Sequence, residues 1–424
     1  MSELKLLFRK TVTKLSKGGF FHIFGASTIN KIIGFASTWV IVRLVSKADY
    51  GVYTYAYNIY HFVLLLNGFG IASAVLQMGS ETDDLKEKER YYKFGLWFGT
   101  LADLFLAFVM VLIGLFIPLP IEGSGILLAW MFGLPLLTLI PELQYMYLRI
   151  NARNKEYSSI TILNTFAVFV LSCILAYLLK TPGLIIAGYL SHIITIVVAR
   201  YRYKIPVAIH KIKLLGEELK TVVSIALISM LNNGLSRLMY LLDIFVLGLV
   251  IPDSTVVAAY KIATNIPTAL QFIPAAIIVY IYPHFARNKD NGEWLISHYK
   301  RLIVPFGLFN VAVSAFMFVF AKYIIKILFG VQYLDAVTPF RILSVAYFFS
   351  ATLRSLSGNL LVTQRKLKFN LFISVFSSAF NTVLNVFMIR AWASNGAAVA
   401  TLLTGLLSGL ISTTYLLRIF KNKQ

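Results

Sequence analysis

The chain has 424 residues, of which 58% are apolar and only 13% are charged, and its mean hydropathy is +0.76. This composition excludes an ordinary soluble globular protein, because no compact soluble fold could bury so much apolar surface. The formal net charge of +21 does not indicate a nucleic-acid binder, since Lys and Arg lie at the ends of apolar stretches rather than on one folded surface. The single cysteine, Cys173, excludes an intramolecular disulfide. No Cys/His metal-binding spacing occurs, so we expect neither a metal site nor a cofactor.

Twelve apolar stretches of about 20 residues, the length that crosses a bilayer, follow a basic N-terminal segment. They are predicted as membrane helices near 20–44, 51–78, 94–117, 125–148, 158–179, 183–201, 221–250, 256–283, 302–320, 337–362, 370–389 and 396–417. Most of the 39 Lys and Arg residues fall in every second connection, which the positive-inside rule assigns to the cytoplasm. Both termini are therefore predicted to be cytoplasmic. The first apolar stretch is too long for the core of a signal peptide and is predicted to be retained.

The middle of the chain divides it into two halves of six helices. The longest basic connection, at 200–220, is predicted to join them and to include a short amphipathic helix on the membrane surface. A repeated Y-x-x-A-x-N-I motif begins at Tyr53 in the second span and at Tyr260 in the eighth. Six helices separate the copies, so the halves would be parallel repeats. The predicted domains are an N-terminal six-helix bundle at 1–205, a cytoplasmic linker at 206–220 and a C-terminal six-helix bundle at 221–424.

Two of the spans carry a polar stripe at helical spacing. The stripe includes Asn30 and Lys31 on the first span, and Asn233, Arg237 and Asp243 on the seventh. The repeat maps Asn30 onto Arg237, so the two stripes favour a hydrated cavity in which these cations and amides bind substrate. The alternative is a structural role, with Arg237 and Asp243 as ion-pair partners and the amides joining helices.

Further charges lie inside predicted spans, where an uncompensated charge costs about 2.5–3.5 kcal/mol or more. Lys261 on the eighth span is another candidate substrate-binding residue. Asp103 is a candidate proton or cation site, and the repeat places Glu142 opposite Arg354 as a charge pair or a gate. Arg341 lies so near the end of a span that snorkelling to the interface explains it better. The coupling or gating candidates are therefore Asp103, Asp243, Glu142 and Arg354.

Signals for catalysis are nearly absent, and we expect a protein that is not an enzyme. The sequence contains no G-x-S-x-G, no P-loop and no H-E-x-x-H motif. The fragment G-F-G-I-A-S at 68–73 half matches a dinucleotide-binding loop, but inside a span helix packing explains it better. The tyrosines between Tyr50 and Tyr60 could stack on sugar rings, although an aromatic belt at the start of a span is the commoner explanation.

The N-terminal motifs resemble one known family. The first-span sequence G-A-S-T-I-N-K-I-I-G-F, the link V-S-K-A-D-Y-G-V-Y and the stretch N-G-F-G-I-A-S-A-V-L resemble the polysaccharide transport family of the multidrug/oligosaccharidyl-lipid/polysaccharide (MOP) exporter superfamily, which includes Wzx-type O-antigen flippases. The S-x-A-D-Y-G link at 46–51 is the most specific part. Membership implies an all-α integral membrane protein with twelve transmembrane helices, in which two pseudo-symmetric six-helix bundles form a MATE-like V around a cationic central cavity.

The resemblance also implies a substrate and a mechanism. An undecaprenyl-pyrophosphate-linked oligosaccharide would pass from the cytoplasmic to the outer leaflet of the bacterial inner membrane by alternating access. The expected partners are this lipid-linked sugar, membrane lipids and other polysaccharide assembly proteins, with no nucleic acid. Lys31 and Arg237 are assigned from their positions in this chain, and Arg suits phosphate because its planar fork can donate two hydrogen bonds. Without a nucleotide-binding motif, an ion gradient, the membrane potential or product removal would drive transport.

Two other functions stay open from the sequence. A cation-coupled multidrug or small-molecule antiporter of the same superfamily would prefer acidic groups in its cavity, whereas cations outnumber anions within the predicted spans. A membrane polysaccharide polymerase, ligase or glycosyltransferase would usually have a large outer loop with clustered Arg, His or Asp. All the predicted outer connections are short, which disfavours that class.

Overall fold

The computed structural model of the protein describes residues 20–214 and 216–424, and these ranges contain helices and connections but no strand. The predicted basic segment at 1–19 lies outside them. A few side chains within helices also lie outside the described part, namely those of Phe20, Phe21, Phe24, Leu235, Ser236, Arg237, Met239, Ala276, Val279 and Tyr280. The all-α architecture predicted from the sequence is confirmed for the described residues.

The first half of the chain contains seven helices within the described ranges. They are α1 (Phe20–Leu44), α2 (Lys47–Leu64), α3 (Ile71–Glu81), α4 (Leu85–Phe116), α5 (Ser124–Trp130), α6 (Leu134–Ile150) and α7 (Asn154–Tyr201). A 3₁₀ turn at Asn67–Gly70 separates α2 from α3. At the start of α2, the Ser46 hydroxyl accepts the Asp49 N–H at 3.1 Å and donates to the Asp49 carboxylate at 2.6 Å. Ser46 therefore caps α2, and the Asp49 carboxylate holds the capping hydroxyl, which gives the S-x-A-D-Y-G link a structural reason for two of its residues.

The second half of the chain begins with one long helix and ends with another. Its helices are α8 (Gly216–Val250), α9 (Ser254–Ala269), α10 (Phe272–Arg287), α11 (Gly292–Val319), α12 (Ala321–Phe329), α13 (Val337–Phe349), α14 (Leu356–Thr363) and α15 (Leu367–Lys421). A 3₁₀ turn at Val331–Ala336 precedes α13, and a π-helical segment at Ser350–Ser355 connects α13 to α14.

Two helices of the chain, α7 and α15, are bent back into hairpins. Helix α7 is broken at Lys180 (φ 58°), and α15 is broken at Trp392 and Ala393. A Cβ atom on Gly183 would lie 2.0 Å from the carbonyl oxygen of Leu175. Residues eight apart on a straight helix are separated by about 12 Å, so the two limbs of α7 turn back on each other. The same close approach joins the limbs of α15, where glycine at 396 lies against the carbonyl of residue 388.

Six helical segments within the described ranges are long and apolar enough to cross a membrane, or seven if the bent pair α5–α6 counts as one span. Two of the six, Lys47–Glu81 and Val331–Thr363, each include more than one of the helices named above. This count takes each hairpin as a single helix. Because α7 and α15 each consist of two limbs, the helical stretches accommodate all twelve predicted spans.

Contacts between residues divide the chain into two compact units. The first unit contains the residues up to Val45 together with 59–119 and 123–234, and the second contains 46–58, 120–122 and 235–424. Residues 46–58 join the second unit because Gly51 lies so close to the backbone of Ser254 that a Cβ atom would be 1.8 Å from its carbonyl oxygen. Lys47 also forms an ion pair with Asp335 at 2.6 Å. The division into 1–205 and 221–424 by repeated spans stays a prediction.

The prediction of an amphipathic helix in the basic connection at 200–220 is wrong. Residues 204–214 are not helical. Lys204 has a left-handed backbone (φ 55°), and Pro206 lacks the backbone N–H with which a helix from upstream would continue. The segment is instead fixed through its carbonyl groups. The Tyr92 hydroxyl donates to the carbonyl of Pro206 at 2.7 Å, and the Arg153 guanidinium donates to that of Tyr203 at 2.8 Å.

Candidate substrate-binding site

A cavity of about 450 Å³ lies among the helices of the second unit. Its wall consists of parts of α8, α9, α13, the π-helical segment, α14 and α15. Hydroxyl and amide side chains predominate, and the charged residues are Asp243, Lys261 and Arg354. Polar groups at membrane depth are tolerated where they line a water-filled cavity or meet a ligand. The lining therefore marks this cavity as a site for a polar molecule.

Arg354 is held at the cavity by the π-helical segment. Its Nη1 donates to Asn370 Oδ1 and its Nη2 donates to Ser374 Oγ, both at 3.0 Å. A Cβ atom on Gly358 would lie 2.2 Å from Nη1, so a glycine one turn later makes room for the guanidinium. A guanidinium has five N–H donors, and two of them are used by these contacts. The others can serve a ligand in the cavity.

Lys261 supplies the second cation. It lies on α9, is half-buried and lines the same cavity. Within the described part of the chain, its ammonium group forms no hydrogen bond and no ion pair. An ammonium group at membrane depth needs water or a counter-ion. The cavity therefore presents one cation that is already oriented by neighbours and one that is available to a ligand.

Asp243 is the one carboxylate in the lining, and neutral donors surround it. It is buried and accepts hydrogen bonds from Asn385 Nδ2 at 2.7 Å, Thr401 Oγ1 at 2.9 Å and Tyr260 OH at 3.1 Å. No described side chain forms an ion pair with it. The backbone of Arg237 lies in α8 but its side chain lies outside the described residues, so the Arg237–Asp243 pair stays a hypothesis.

The candidates on the first span line a different cavity. Asn30 and Lys31 belong to the wall of a cavity of about 270 Å³ in the first unit, with Tyr157 and Thr161 of α7 among their neighbours. Lys31 is exposed and Asn30 is half-buried. Asn233 of α8 is exposed and lines neither of these two cavities.

The two acidic candidates of the first half meet at the turn between α2 and α3. Asp103 Oδ1 accepts the N–H of Gly68 at 2.7 Å, and Glu142 Oε2 accepts from Asn67 Nδ2 at 3.2 Å. The pairing of Glu142 with Arg354 that the repeat indicated stays a hypothesis, whereas the contacts above pair Glu142 with Asn67.

Several residues that form the site were missed by the sequence analysis. Asn370, Ser374, Asn381 and Asn385 recur at helical spacing on the first limb of α15, and three of them contact Arg354 or Asp243. The signal was present in the sequence, because a polar stripe of the same kind identified candidates on the first and seventh spans.

The sequence matches the model of a family described as polysaccharide biosynthesis protein over residues 40–338, which is well over half of the chain. The chain belongs to this family. No curated protein sequence matches the chain.

Solved structures resemble the chain over nearly its whole length. The lipid II flippase MurJ in an inward closed conformation gives a TM-score of 0.74 at 14% identity, covering 95% of this chain and 90% of that chain. An inward-facing multidrug resistance MATE family transporter of the MOP superfamily gives 0.72 at 14% identity, covering 94% and 95%. A MOP superfamily transporter from Pyrococcus furiosus, described as having a binding pocket of reverse polarity, gives 0.57 at 13% identity, covering 96% of each chain.

These likenesses establish the fold. The expected MATE-like, all-α membrane fold is confirmed, and the chain is a multi-pass membrane protein with the fold of MOP superfamily transporters. At such low identities a shared fold does not carry a shared substrate.

Proposed function

We propose that this protein is a flippase that moves undecaprenyl-pyrophosphate-linked polysaccharide repeat units across the bacterial inner membrane, from the cytoplasmic to the outer leaflet. The proposal rests on one observation above all, which is the polar cavity that contains Lys261 and Arg354. A pyrophosphate and its sugars cannot cross about 30 Å of hydrocarbon unaided. A hydrated site with cations and many hydroxyl groups replaces their water during the passage.

Each cation has a distinct role in this proposal. Arg354, which Asn370 and Ser374 already orient, directs its remaining N–H donors at phosphate oxygens in a fixed geometry. Lys261 acts as a mobile point charge on the same diphosphate. The hydroxyl and amide groups of the lining other than Asn370 and Ser374 exchange hydrogen bonds with the sugar.

The other predicted binding residues keep a place in the proposal. Asn30 and Lys31 form a second polar site in the first unit, at which the glycan or the diphosphate pauses during transport. Arg237 and Asn233 remain candidates for substrate contact from α8. Asp243 remains a candidate for coupling, because a buried carboxylate among neutral donors can bind a proton or cation.

The family description and the fold support this choice of function. The chain belongs to a polysaccharide biosynthesis family, and one of the similar folds is that of a protein named as a lipid II flippase. The distribution of Lys and Arg supports cytoplasmic termini. Lipid-linked sugar, membrane lipids and other polysaccharide assembly proteins are the proposed partners.

A cation-coupled multidrug antiporter is the second candidate, because MATE transporters share the fold. Such a transporter would have to admit organic cations to the cavity. Two cationic side chains, Lys261 and Arg354, face that cavity, against one carboxylate, Asp243. Electrostatic repulsion therefore disfavours this function.

The deciding experiment measures flipping in proteoliposomes that contain the purified protein and a fluorescent undecaprenyl-pyrophosphate-linked oligosaccharide. An enzyme added outside modifies only the outward-facing glycan, so the modified fraction reports transport. We expect the wild-type protein to increase the modified fraction, Arg354→Ala to abolish this increase and Arg354→Lys to restore part of it. Arg390→Ala is the matched control, since Arg390 is exposed on α15.

Two outcomes would contradict the proposal. The first is a wild-type protein that flips no lipid-linked glycan but exchanges a cationic dye for protons or Na⁺. The second is an Arg354→Ala protein that flips at the wild-type rate, which would remove the cavity from the mechanism.

A further inference from the structure

The turn between α2 and α3 has an unusual backbone. Gly68, Phe69 and Gly70 all have left-handed conformations, with φ of 50°, 49° and 77°. Two glycines adopt this region readily, whereas Phe69 adopts it at a steric cost. Such strain persists where the surrounding structure enforces it, and it is commonest at functional sites.

Two carboxylates from neighbouring helices enforce this turn. Asp103 of α4 accepts the N–H of Gly68, and Glu142 of α6 accepts the side-chain amide of Asn67. These contacts are made to consecutive residues, so the two acids converge on one point. The C-terminus of α2 and the N-terminus of α3 both lie at this turn, so their dipoles oppose each other there. The negative charge of the region therefore comes from the two carboxylates.

Asp103 has one oxygen that the turn does not use. The side chain is completely buried, and Oδ2 accepts no hydrogen bond from any described residue. No described Lys or Arg forms a salt bridge with it. Asn67 Oδ1 and Thr100 Oγ1, which lies one helical turn before Asp103 on α4, are also buried without a partner among the described residues. A buried carboxylate oxygen without a partner is unfavourable by several kcal/mol in general.

The unused groups at this turn are all oxygen atoms, which are the ligands that hard cations prefer. No cluster of three His, Cys, Asp or Glu side chains occurs in the described ranges, so a zinc-type site is not formed. A single unused carboxylate oxygen beside neutral oxygens matches a charge of +1. Mg²⁺ demands octahedral geometry and retains its waters, which a buried turn does not provide.

We propose that the turn at Asn67–Gly70 binds a monovalent cation, Na⁺, through oxygen ligands. Asp103 Oδ2 supplies the charge, and Asn67 Oδ1 and Thr100 Oγ1 complete the site. Glu142 positions Asn67 through the hydrogen bond to its amide. The bound ion joins α4 to the broken helix, so its arrival and departure change how firmly the turn is held. This site goes beyond the proposed flippase function and requires no assumption about the lipid substrate.

The test measures thermal unfolding of the purified full-length protein by intrinsic tryptophan fluorescence, without lipid-linked sugar. Tm is compared in NaCl, KCl and choline chloride at constant ionic strength. Because a ligand that binds only the folded state stabilises it, Na⁺ should raise Tm by a few degrees over choline, in a saturable manner. Binding of radioactive ²²Na⁺ to the wild-type protein provides a direct second measurement.

The variants assign the response to the turn. Asp103→Asn should remove the Na⁺-dependent rise, and Thr100→Val should weaken it several-fold in apparent affinity. Thr100→Val also keeps the test decisive if Asp103→Asn does not fold. Asp83→Asn is the matched control, because Asp83 is exposed between α3 and α4, and it should keep the full response.

Several results would overturn the proposal. An equal Tm in NaCl and choline chloride with no ²²Na⁺ binding would do so. Stabilisation by Mg²⁺ or Ca²⁺ alone, or by acid alone, would assign the turn to another ligand. An unchanged Na⁺ response in both Asp103→Asn and Thr100→Val would place the ion elsewhere. None of these results bears on glycan flipping, which is measured separately.

Discussion

The second and tenth spans are both interrupted, and the two interruptions have opposite chemistry. At Asn67–Gly70 the turn donates a backbone N–H and a side-chain amide to the carboxylates of Asp103 on α4 and Glu142 on α6. At Ser350–Ser355 the interruption itself carries a guanidinium, and the neighbouring helix supplies neutral oxygens. The comparison shows that an irregular segment in a membrane helix does not by itself select a ligand of either charge. The side chains around it decide whether it suits a cation or an anion.

This difference gives the two units separate tasks in the proposed mechanism. The two proposals assign Na⁺ to the turn in the first unit and a diphosphate to the π-helical segment in the second unit. An ion and a substrate with opposite charges can then be bound together without competing for the same groups. The following predictions would break or sharpen this contrast.

The largest effect is expected from reversing the charge at the π-helical segment. Arg354→Glu should reduce flipping by more than about 100-fold, because a misplaced buried charge costs 2–5 kcal/mol or more. The Na⁺-dependent rise in Tm should be unchanged in the same protein. A variant that loses both responses would show that the two interruptions do not act as separate sites.

Changing the backbone of the turn should have the next largest effect. In Gly70→Ala a new Cβ atom would lie 2.3 Å from the carbonyl oxygen of Ala226, at a residue with φ of 77°. We expect a loss of about 1–3 kcal/mol in stability together with a weaker Na⁺ response, both measured by thermal unfolding. Gly34→Ala is the control, since a Cβ there meets no atom within 4 Å. Equal stability of the two variants would contradict the close packing of the turn.

Removing the available ammonium group should reduce substrate affinity. Lys261→Met should raise the KM for lipid-linked glycan by roughly 10- to 100-fold, as expected for a lost hydrogen bond to a charged group of about 1.5–3 kcal/mol. Lys261→Arg should retain most of the affinity because it keeps the charge. Lys322→Met, at an exposed position of α12, should have no effect. A KM in Lys261→Met that equals the wild-type value would separate Lys261 from the diphosphate.

The smallest effect should come from the residue that orients Arg354. Ser374→Ala removes one of its two 3.0 Å hydrogen bonds, and a typical hydrogen bond contributes about 1 kcal/mol. We expect a few-fold fall in the maximal flipping rate, with KM changed less, because Ser374 is a positioning residue that does not touch substrate. Ser374→Thr should restore the rate. A rise in KM with an unchanged maximal rate would instead place Ser374 in direct contact with the glycan.

The positions of the spans could be predicted because hydropathy alone determines them. Each predicted span coincides with a helical stretch, and the two hairpins were correctly divided near Lys180 and Trp392. The basic connection at 200–220 was misjudged: its charged and apolar residues suggested an amphipathic helix, whereas residues 204–214 are not helical and long-range contacts from Tyr92 and Arg153 hold the carbonyls of Pro206 and Tyr203. Local periodicity carries no information about contacts between distant residues.

The candidate site was predicted only in part. Asp103, Glu142, Lys261 and Arg354 were identified because a charge within an apolar stretch is conspicuous. The contacts of Glu142 with Asn67 and of Arg354 with Asn370 and Ser374 were not foreseen, since contacts between helices depend on rotation about each helix axis. The glycines of the turn were interpreted as packing residues, and they do pack closely, but their left-handed backbone is what breaks the helix.

The hairpins of α7 and α15 have a consequence for how the protein is made. In each one a glycine just after the reversal touches a carbonyl group of the other limb, so neither limb reaches its final position alone. The two limbs of a hairpin should therefore leave the translocon and enter the bilayer as a pair. Only the few residues at each tip would pass through the aqueous side, so that insertion moves very little polar chain across the membrane. A larger side chain at Gly183 or Gly396 would then act during biogenesis, before any substrate is met.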